Sequence, residues 1–538
     1  MIKSKFIKSY LKEKVEGQFD AIVIGSGIGG MSTAAFFAKE GKKVLVLERH
    51  YTPGGFSHVY MRKGYEFDVG VHYVGETHDP NSQISKIFRY LTDDSIAWES
   101  MGEVHDKMVF GNEIYEFHKG ADAFAEKMKS YFPAIDDVLA IDEYMALIKK
   151  SQVPIVVYFA EKTLPPFLQI FFSGWMKRKA INLNKPTLTV MQSITKNKKL
   201  IAVLTGQFGD YGLNPTASSF LMHATLVSHY LNGGNYPIGG STRLFDGMAA
   251  TVLKAGGQIF VNAEVKEIIT DRKKAIGVKM KDGKKYFAKK IISNAGVYNT
   301  YTRLLPESVL AGSNISFALS EIKPSVGHFC LYVGLRYSAN DLKLGKANYW
   351  VFPDQYDHDR SVEEYKRNPD VEFPVTYISF PSAKDPDWDR RYPNRCTLEI
   401  ISMAPMEWFD KWKHSEWSQR DDAYLKLKED VSQRLLEVLY KFEPQLRGKV
   451  DFYELSTPLS TQHFMGNMFG EIYGVDHDIS RFNSAILRPQ TPVKNLYLTG
   501  QDIVTCGVAG AATSGMLTAV VALKKNLLMR LKNKKIEE

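Results

Sequence analysis

The amino-acid sequence predicts an α/β fold, in which a Rossmann-like domain is interrupted by inserted α+β segments. Runs typical of buried strands, followed by glycine-rich turns, occur in three separated places, near residues 19–75, 237–300 and 485–525. Longer stretches with mixed helix and strand patterns lie between them. No period of roughly 20–50 residues repeats, which excludes solenoids and propellers. We therefore expect one nucleotide-binding domain assembled from three pieces of the chain.

Composition and charge narrow the class of protein. The 538 residues are 44% hydrophobic and 24% charged, which excludes disorder, collagen and coiled coil as descriptions of the whole chain. Three scattered cysteines are too few for a disulfide framework or a Cys-based zinc site, and indicate a reducing compartment. The net charge of +9 is weak support for nucleic acid, which we do not expect as a partner. A membrane surface or an anionic cofactor explains it at least as well.

The first piece has the pattern of a dinucleotide-binding βαβ unit. Apolar runs at 21–24 and 44–47 read as buried parallel strands, and an Ala- and Phe-rich helical run lies between them. The turn after the first strand has the form G-x-G-x-x-G, and the second strand ends at Glu48. Because strand, turn, helix and acid occur together, the motif is far more specific than the glycines alone.

Each motif residue has a physical task. Gly25 allows the tight turn, Gly27 lets the backbone approach a pyrophosphate, and Gly30 allows close packing of helix on strand. Glu48 is placed to accept hydrogen bonds from the adenosine ribose, and its charge would repel a 2′-phosphate, so NADP is not expected at this site. The cofactor-binding residues expected in this piece are Gly25, Ser26, Gly27, Gly29, Gly30, Glu48 and Arg49.

A second glycine pair follows in the run Pro53-Gly54-Gly55-Phe56-Ser57. It would let the backbone approach the cofactor again. A pair at this distance from the ribose acid resembles FAD oxidoreductases of the phytoene-desaturase and amine-oxidase type. That resemblance implies a Rossmann-like FAD/NAD(P)-binding domain with an inserted α+β substrate domain, and FAD contacts at Gly54, Gly55, Phe56 and Ser57.

The second and third pieces extend the resemblance. Residues 258–269 alternate as strands do, a hairpin signal lies at 281–284, and the piece ends in Ser293-Asn294-Ala295-Gly296. This resembles the β-meander of the same FAD domains, in which the residue at Val265 contacts the adenine through its backbone. In the third piece, a strand ends at Gly500, and Asp502 and a small-residue helix from Gly507 follow. The resemblance implies that the acid holds the ribityl chain and that the helix faces the flavin. Further cofactor-binding residues expected here are Val265, Asn294, Gly500, Asp502, Gly507 and Val508.

Motifs outside the cofactor core are more specific. The run Asp68-Val69-Gly70-Val71-His72-Tyr73-Val74-Gly75 resembles a stretch of the retinol saturase family, as do the runs at 209–212, 380–386 and 473–478. The similarity covers nearly the whole chain from about Phe19, and carotenoid isomerases and phytoene desaturases are the next relatives. Animal retinol saturases carry an apolar N-terminal targeting stretch that this chain lacks, so another polyene stays open as substrate.

The resemblance implies an FAD-dependent oxidoreductase that reduces one C=C bond of a long, apolar conjugated polyene. Its alternatives are a carotenoid desaturase or cis–trans isomerase and, in another class, a non-enzymatic lipid carrier of the same fold. No second complete glycine motif exists for NADH or NADPH, so either docks transiently or a separate reductase supplies electrons. The candidate proton donors are His72, Tyr73, Tyr473, His477 and Cys506, and His72 is also expected at the cofactor.

A metal site is not expected, and association with a membrane surface is. Asp476-His477-Asp478 lacks further His or Cys support, and adjacent residues of a loop point in different directions. The apolar stretch 153–176 contains Glu161-Lys162 and two prolines, which argue against a spanning helix, and the basic run 177–179 follows. A core helix pair with a charged turn is the alternative. No signal peptide is evident, and we expect an intracellular, peripherally membrane-associated protein.

The expected domain boundaries follow from these pieces. The basic tail, 1–17, reads either as a short amphipathic helix or as a frayed end. The expected domains are a discontinuous FAD-binding domain at 18–85, 237–312 and 485–530, and a substrate-binding and membrane-associating domain at 86–236 and 313–484.

Overall fold

The structure, a computed structural model, describes residues 7–164, 184–311 and 313–533. Its strands are β1 Lys8–Ser9, β2 Phe19–Ile24, β3 Val44–Leu47, β4 Val59–Arg62, β5 Tyr65–Asp68, β6 Val74–Gly75, β7 Trp98–Ser100, β8 Val104–Phe110, β9 Glu113–His118, β10 Gly234–Pro237, β11 Gln258–Val261, β12 Val265–Asp271, β13 Lys274–Met280, β14 Lys285–Ser293, β15 His328–Leu335, β16 Asn348–Phe352, β17 Thr376–Ser379, β18 Cys396–Met403, β19 Val450–Ser456 and β20 Leu496–Leu498.

Helices connect these strands and cover the sheets. The α-helices are α1 Ile28–Lys39, α2 Gln83–Thr92, α3 Ala121–Tyr131, α4 Ile135–Glu161, α5 Thr187–Ile194, α6 Lys198–Leu204, α7 Phe220–Tyr230, α8 Thr242–Lys254, α9 Val297–Asn299, α10 Glu307–Leu310, α11 Ile315–Ser320, α12 His358–Arg367, α13 Pro381–Lys384, α14 Trp388–Arg391, α15 Asp422–Phe442, α16 Pro458–Met465, α17 Ile479–Asn483, α18 Gly507–Leu523 and α19 Leu528–Asn533. Short 3₁₀ turns occur at Gly55–Ser57, Gly206–Asp210, Met406–Trp412 and Pro444–Leu446, and a π turn occurs at Thr300–Leu304.

The largest sheet joins the three predicted pieces. Its strand order is β1, β11, β3, β2, β14, β13 and β12, and β20 pairs with β14 at one end. β2 is parallel to both β3 and β14, while β12, β13 and β14 form an antiparallel meander with the hairpin where the sequence predicted it. Residues 21–24 of β2 and all of β3 are apolar and buried, because the sheet is covered on both faces.

Close packing brings the helix of the first piece against the helix of the third. A Cβ atom on Gly515 of α18 would lie 2.5 Å from the Cβ of Ser32 on α1. Only glycine therefore allows these two helix backbones to approach so closely. The N-termini of α1 and α18 therefore lie at the same edge of the sheet, beyond the carboxyl ends of β2 and β20.

A second sheet is built from the inserted stretches. Its seven strands have the order β19, β15, β18, β17, β16, β8 and β9, and all neighbours are antiparallel except β16 and β8. α4 packs against α3 and α7, and α15 packs against β17 and β19. Three strands of this sheet bury an acidic or amide side chain completely, namely Asp106, Asn348 and Glu399.

The structure bears on two readings that the sequence left open. The N-terminal segment does not form an amphipathic helix in its described part, because Lys8 and Ser9 pair in parallel with Phe260 and Val261 and extend the large sheet. The charged pair at 161–162 lies at the end of α4, where Lys162 is 6% exposed and donates a hydrogen bond to the carbonyl of Leu487.

The apolar stretch at 153–176 divides at the limit of the described residues. Its first part continues α4, a 27-residue helix that contains Pro154, and residues 165–176 and the basic run 177–179 lie outside the described residues. Among the helices that the structure describes, none combines the length and the apolar character needed to cross a bilayer.

Candidate functional site

One large cavity, of about 800 Å³, lies between the two sheets. Its walls include the glycine-rich turn after β2, the run after Glu48, the end of β14, and the segment from Gly500 to Gly507. The inserted stretches close the other side with residues of α4, α7 and the second sheet. All three predicted cofactor pieces therefore meet at one concave site, at the carboxyl edge of the parallel strands.

Closely packed backbone forms the floor of the cavity at the turn after β2. We call this region, which contains Gly25, Gly27 and Gly55, the cradle. Gly25 has a φ of +91°, which favours glycine, and the turn that it starts brings Gly27 against two other segments. A Cβ on Gly27 would lie 3.0 Å from the Nδ2 of Asn294, and a Cβ on Gly55 would lie 3.0 Å from the Cα of Gly27. Side chains at these positions would fill the space that a cofactor's phosphates need.

Glu48 is held rigidly at the end of β3. Its Oε2 accepts hydrogen bonds from the backbone N of Ser26 at 2.8 Å and from the Ser26 hydroxyl at 2.7 Å, and its Oε1 accepts one from the backbone N of His50 at 2.8 Å. The Ser26 hydroxyl also accepts from the backbone N of Gly54 at 3.0 Å. Ser26 thus links the Glu48 carboxylate by hydrogen bonds to both glycine turns.

Asp502 links the third piece to two other segments. Its Oδ2 accepts from the backbone N of Val297 at 2.7 Å, and its Oδ1 accepts from the backbone N of Val475 at 3.0 Å. The carboxylate therefore sits at the start of α9 and fixes the 474–475 turn, while its residue also lines the cavity.

The predicted cofactor residues separate into two groups. Two of them do not line the cavity: Ser26 orients Glu48, and Gly30 packs where a Cβ would overlap the Gly25 carbonyl oxygen. The others line it, namely Gly25, Gly27, Gly29, Glu48, Arg49, Gly54, Gly55, Phe56, Ser57, His72, Val265, Asn294, Gly500, Asp502, Gly507 and Val508.

Four of the five candidate proton donors line the cavity, and His477 does not. His477 is fully buried, and its Nε2 accepts a hydrogen bond from the backbone N of Cys506 at 3.1 Å. Its neighbour Asp478 caps α17 by accepting from the backbone N of Arg481 at 3.0 Å. Within the described ranges, no group of three or more His, Cys, Asp or Glu residues has the arrangement of a metal site.

The other candidate donors are neutral in this environment. Burial lowers the pKa of His72 to about 3 and raises that of Cys506 to about 12. Burial also raises the pKa values of Tyr73 and Tyr473 well above the usual value for a phenol. Tyr473 donates to the carbonyl of Gly209 at 2.9 Å, so its hydroxyl proton is already engaged.

A buried polar cluster lies behind His72. Lys384 donates to the His72 carbonyl at 2.9 Å, to Asn348 Oδ1 at 2.5 Å and to Ser379 Oγ at 2.7 Å. Glu399 is fully buried, and its Oε2 lies 3.9 Å from the Nδ1 of His72. Burial lowers the pKa of Lys384 to about 7 and raises that of Glu399 well above its usual range.

A second buried cluster centres on Tyr73. Its hydroxyl lies 2.8 Å from Oδ2 of Asp210 and 3.1 Å from Oδ2 of Asp106. Asp210 lines the cavity beside Tyr230 and Tyr377, and its backbone carbonyl accepts from the Cys506 thiol at 3.4 Å. Asp106 and Asp210 were not among the predicted site residues. The motif Gly209-Asp210-Tyr211-Gly212, noted only for its resemblance, was the available signal for Asp210.

Comparisons with known proteins agree with this geometry. A family model described as an NAD(P)-binding Rossmann-like domain matches residues 23–91. The chain is also similar along nearly its whole length to an oxidoreductase of known structure from Methanosarcina mazei, with a TM-score of 0.61, 15% identity, and coverage of 94% of this chain and 100% of the other. At that identity the likeness shows the fold alone.

Sequence relatives show more than the fold. The all-trans-retinol 13,14-reductase of Danio rerio is 36% identical over 549 residues, which cover 98% of this chain and 90% of that protein. The chloroplastic prolycopene isomerase of Arabidopsis thaliana is 26% identical, with coverage of 95% and 84%. The chain therefore belongs to the all-trans-retinol 13,14-reductase, or retinol saturase, family of oxidoreductases, within the superfamily that also contains carotenoid isomerases.

Proposed function

We propose that this protein is an FAD-dependent reductase that saturates one C=C bond of a retinol-like conjugated polyene. The observation that carries the proposal is that one large cavity joins the glycine cradle to a chamber lined by aromatic residues and by Asp210. The name of the Danio rerio relative supports the reaction and the substrate class.

The cradle fits a flavin dinucleotide. Gly27, Gly29 and Gly55 let backbone segments pack closely around the part of the cavity where phosphates would lie, and the N-terminus of α1 has no side-chain cap and no acidic residue in its first turn. Glu48 would accept from the ribose hydroxyls, and Asp502 and the start of α18 would lie toward the flavin end. When bound, reduced FAD would supply the hydride.

The chamber beyond the cradle suits an extended apolar ligand. Trp350, Tyr377, Met403, Val375 and Tyr230 line it, so water would be displaced by a polyene chain. The rings of Tyr73 and Tyr230 are stacked at 4.2 Å, which gives this wall a fixed shape. A dry wall strengthens the electrostatic effect of the few polar groups that face the ligand.

A membrane surface is the source of substrate in this proposal. Val156 of α4 is 63% exposed and also lines the cavity, and Val153, one turn earlier, is 60% exposed. An apolar rim at the cavity supports entry of the polyene from a lipid surface. NADH or NADPH docking transiently, or a separate reductase, is the proposed source of electrons.

A purified, flavin-loaded protein tests the proposal. The flavin is reduced anaerobically with dithionite, retinols and carotenoids are added singly, and the products are analysed by mass spectrometry. We expect flavin absorbance in the purified protein and a product that has gained two hydrogens. A loss of two hydrogens would indicate a desaturase, and an unchanged mass with altered retention an isomerase like the Arabidopsis relative.

The Glu48→Ala variant is the matched control for the same experiment. Because it removes the acid proposed to hold the ribose, we expect less flavin absorbance and proportionally less product. A wild-type protein that purifies without flavin and takes none up would contradict the proposal and favour a lipid carrier.

A further inference from the structure

Two aspartates, Asp106 in the core and the part-buried Asp210 at the cavity wall, share the single hydroxyl of Tyr73. The hydroxyl lies 2.8 Å from Asp210 Oδ2 and 3.1 Å from Asp106 Oδ2. A phenol has one proton to donate, so it can satisfy only one of two ionised carboxylates. Two carboxylates this close in a water-poor site do not both ionise readily. One of the pair is therefore expected to hold a proton and to donate it to the Tyr73 oxygen.

The two acids have different hydrogen-bond partners. Asp106 is fully buried, and its Oδ2 accepts from Gln207 Nε2 at 2.8 Å, while its Oδ1 accepts from Asn348 Nδ2 at 2.8 Å. Asn348 is oriented in turn, because its Oδ1 accepts from Lys384 at 2.5 Å. Both oxygens of Asp106 therefore accept hydrogen bonds from amide groups, an arrangement that suits a carboxylate, which can only accept.

Asp210 has the opposite environment. Burial and the nearby charge of Asp106 raise the pKa of Asp210 to about 8, while the Tyr73 hydroxyl acts in the other direction. The other titratable groups near it are Tyr211, Tyr230, Tyr377, Tyr473 and Cys506, and burial raises the pKa of each. None of them carries a charge near neutral pH, so the carboxyl of Asp210 stays protonated.

The backbone of Asp210 is fixed at the cavity wall. Asp210 ends the 3₁₀ turn Gly206–Asp210, in which Gly209 packs so closely on Trp350 that a Cβ would lie 2.5 Å from the indole ring. The Tyr473 hydroxyl and the Cys506 thiol donate to the carbonyls of Gly209 and Asp210. Cys506 immediately precedes α18, so the acid is tied to the segment proposed to face the flavin.

We propose that Asp210 is the general acid that protonates the polyene, that Tyr73 is a positioning residue that holds its carboxyl group in place, and that Asp106 is a positioning residue that keeps it protonated. This inference rests on the proposed reductase function. Saturation of the double bond adds a hydride, with both electrons, to one carbon and a proton to its neighbour. The O–H bond of Asp210 breaks, a C–H bond forms, and the resulting carboxylate regains a proton from water after product release.

The other cavity groups suit this task less well. The neutral imidazole of His72, with a pKa lowered by burial to about 3, has no readily lost proton. The thiol of Cys506, with a pKa raised to about 12, and the phenols are much weaker acids than Asp210. A general acid works best when its pKa lies close to the working pH, which favours Asp210 over His72, Cys506 and the phenols.

The decisive test compares wild type, Asp210→Asn and the control Asp136→Asn, whose side chain is exposed near the start of α4. Infrared spectra of the flavin-loaded proteins are recorded across the pH range around 8. We expect a carboxylic acid band that titrates in wild type and in the control and is missing in Asp210→Asn. With dithionite-reduced flavin, we expect Asp210→Asn to slow polyene reduction by about 100-fold or more, with flavin content unchanged.

The possible failures are distinguishable. An Asp210→Asn protein that reduces the polyene within about twofold of wild type, or that keeps the titrating band, would overturn the inference and leave the proposed function standing. Wild type that adds no hydrogen to any polyene would overturn the proposed function and the role of Asp210 with it.

A second variant covers the case in which Asp210→Asn does not fold. Tyr73→Phe keeps the ring that stacks on Tyr230 and removes the hydroxyl that lowers the pKa of Asp210. We expect the titrating band and the alkaline loss of activity to move together to higher pH. A band that does not move would overturn the inference.

Discussion

Gly29 and Gly500 pack backbone against backbone, so that a Cβ on Gly29 would lie 2.5 Å from the Cα of Gly500. Gly29 lies in the first turn of α1, and Gly500 follows β20 in the third piece, 471 positions later in the chain. This approach closes the cradle, because Asn294 from the second piece lies against both glycines. The three pieces thus form one cofactor site only if both positions lack a side chain.

Replacing Gly29 with alanine should therefore disrupt the cradle. The added Cβ meets backbone atoms, which cannot rotate away as a side chain can, so we expect a loss of about 1–3 kcal/mol in the free energy of unfolding and weaker flavin retention. Thermal unfolding and flavin absorbance after gel filtration measure both. Gly345→Ala is the control, because a Cβ there has no neighbour within 4 Å. Equal effects of the two substitutions would contradict the prediction.

Removing the Glu48 carboxylate should weaken flavin binding more than folding. The Glu48→Ala variant loses three hydrogen bonds, from Ser26 N, Ser26 Oγ and His50 N, and loses the proposed ribose contact. We expect flavin to dissociate about 10- to 100-fold more readily, measured by equilibrium dialysis. The exposed Glu13→Ala substitution should leave retention unchanged. An unaltered dissociation constant in Glu48→Ala would show that the acid does not contact the cofactor.

Local patterns predicted the cofactor domain well. The strand at 44–47 and the hairpin at 281–284 lie where the sequence placed them, because strand periodicity and turn chemistry act over a few neighbouring residues. The same patterns missed β1, since a two-residue strand has no periodicity and is defined by the partner strand that it meets.

The buried acids could not be found in this way. Tyr73 lies 33 positions from Asp106 and 137 positions from Asp210, and only the packing of the second sheet against the cradle brings them together. The burial of His477 could not be read from the sequence either. It was a candidate proton donor, yet its ring is completely buried and accepts a hydrogen bond from the backbone N of Cys506, just before α18.

Acid should destabilise the fold before it affects most carboxylates. Burial lowers the pKa of His72 and His223 to about 3, and that of His58, His328 and His358 to about 4. Because the unfolded chain binds protons at these rings near pH 6.5 and the folded chain does not, stability is greatest above about 6.5 and falls as pH drops toward about 4.

Thermal unfolding as a function of pH measures this effect. We expect His223→Gln to flatten the acid slope, because its ring is buried beside Tyr144, and the exposed His78→Gln control to leave it unchanged. A melting temperature that is constant between about pH 6.5 and about pH 4.5 would contradict the prediction.

The Asp106→Asn substitution should move the pH dependence of catalysis in a known direction. The negative charge of Asp106 raises the pKa of Asp210, so its removal lowers that pKa. Because the reaction needs the protonated acid, activity should be lost at lower pH than in wild type, where loss is centred near 8. Rates of polyene reduction at a series of pH values provide the measurement. A shift to higher pH, or none, would argue against coupling between the two acids.

Charges at the apolar rim should separate substrate delivery from catalysis. Val153 and Val156 are both more than half exposed, and Val156 also lines the cavity, so glutamates there would repel an anionic lipid surface without reaching the polar cluster. We expect the double substitution Val153→Glu and Val156→Glu to lower co-sedimentation with anionic liposomes and to slow reduction of a polyene presented in those liposomes. The rate with detergent-dispersed polyene should stay within about twofold of wild type, because Val153 and Val156 lie at the rim and the wall around the polar cluster is unchanged. Leu425→Glu, at a position 56% exposed on α15, adds charge to a different apolar surface site and should affect neither measurement.

Equal loss of rate in liposomes and in detergent would mean that the rim residues act on the chamber rather than on substrate delivery. Unchanged liposome binding would mean that α4 is not part of the proposed membrane contact.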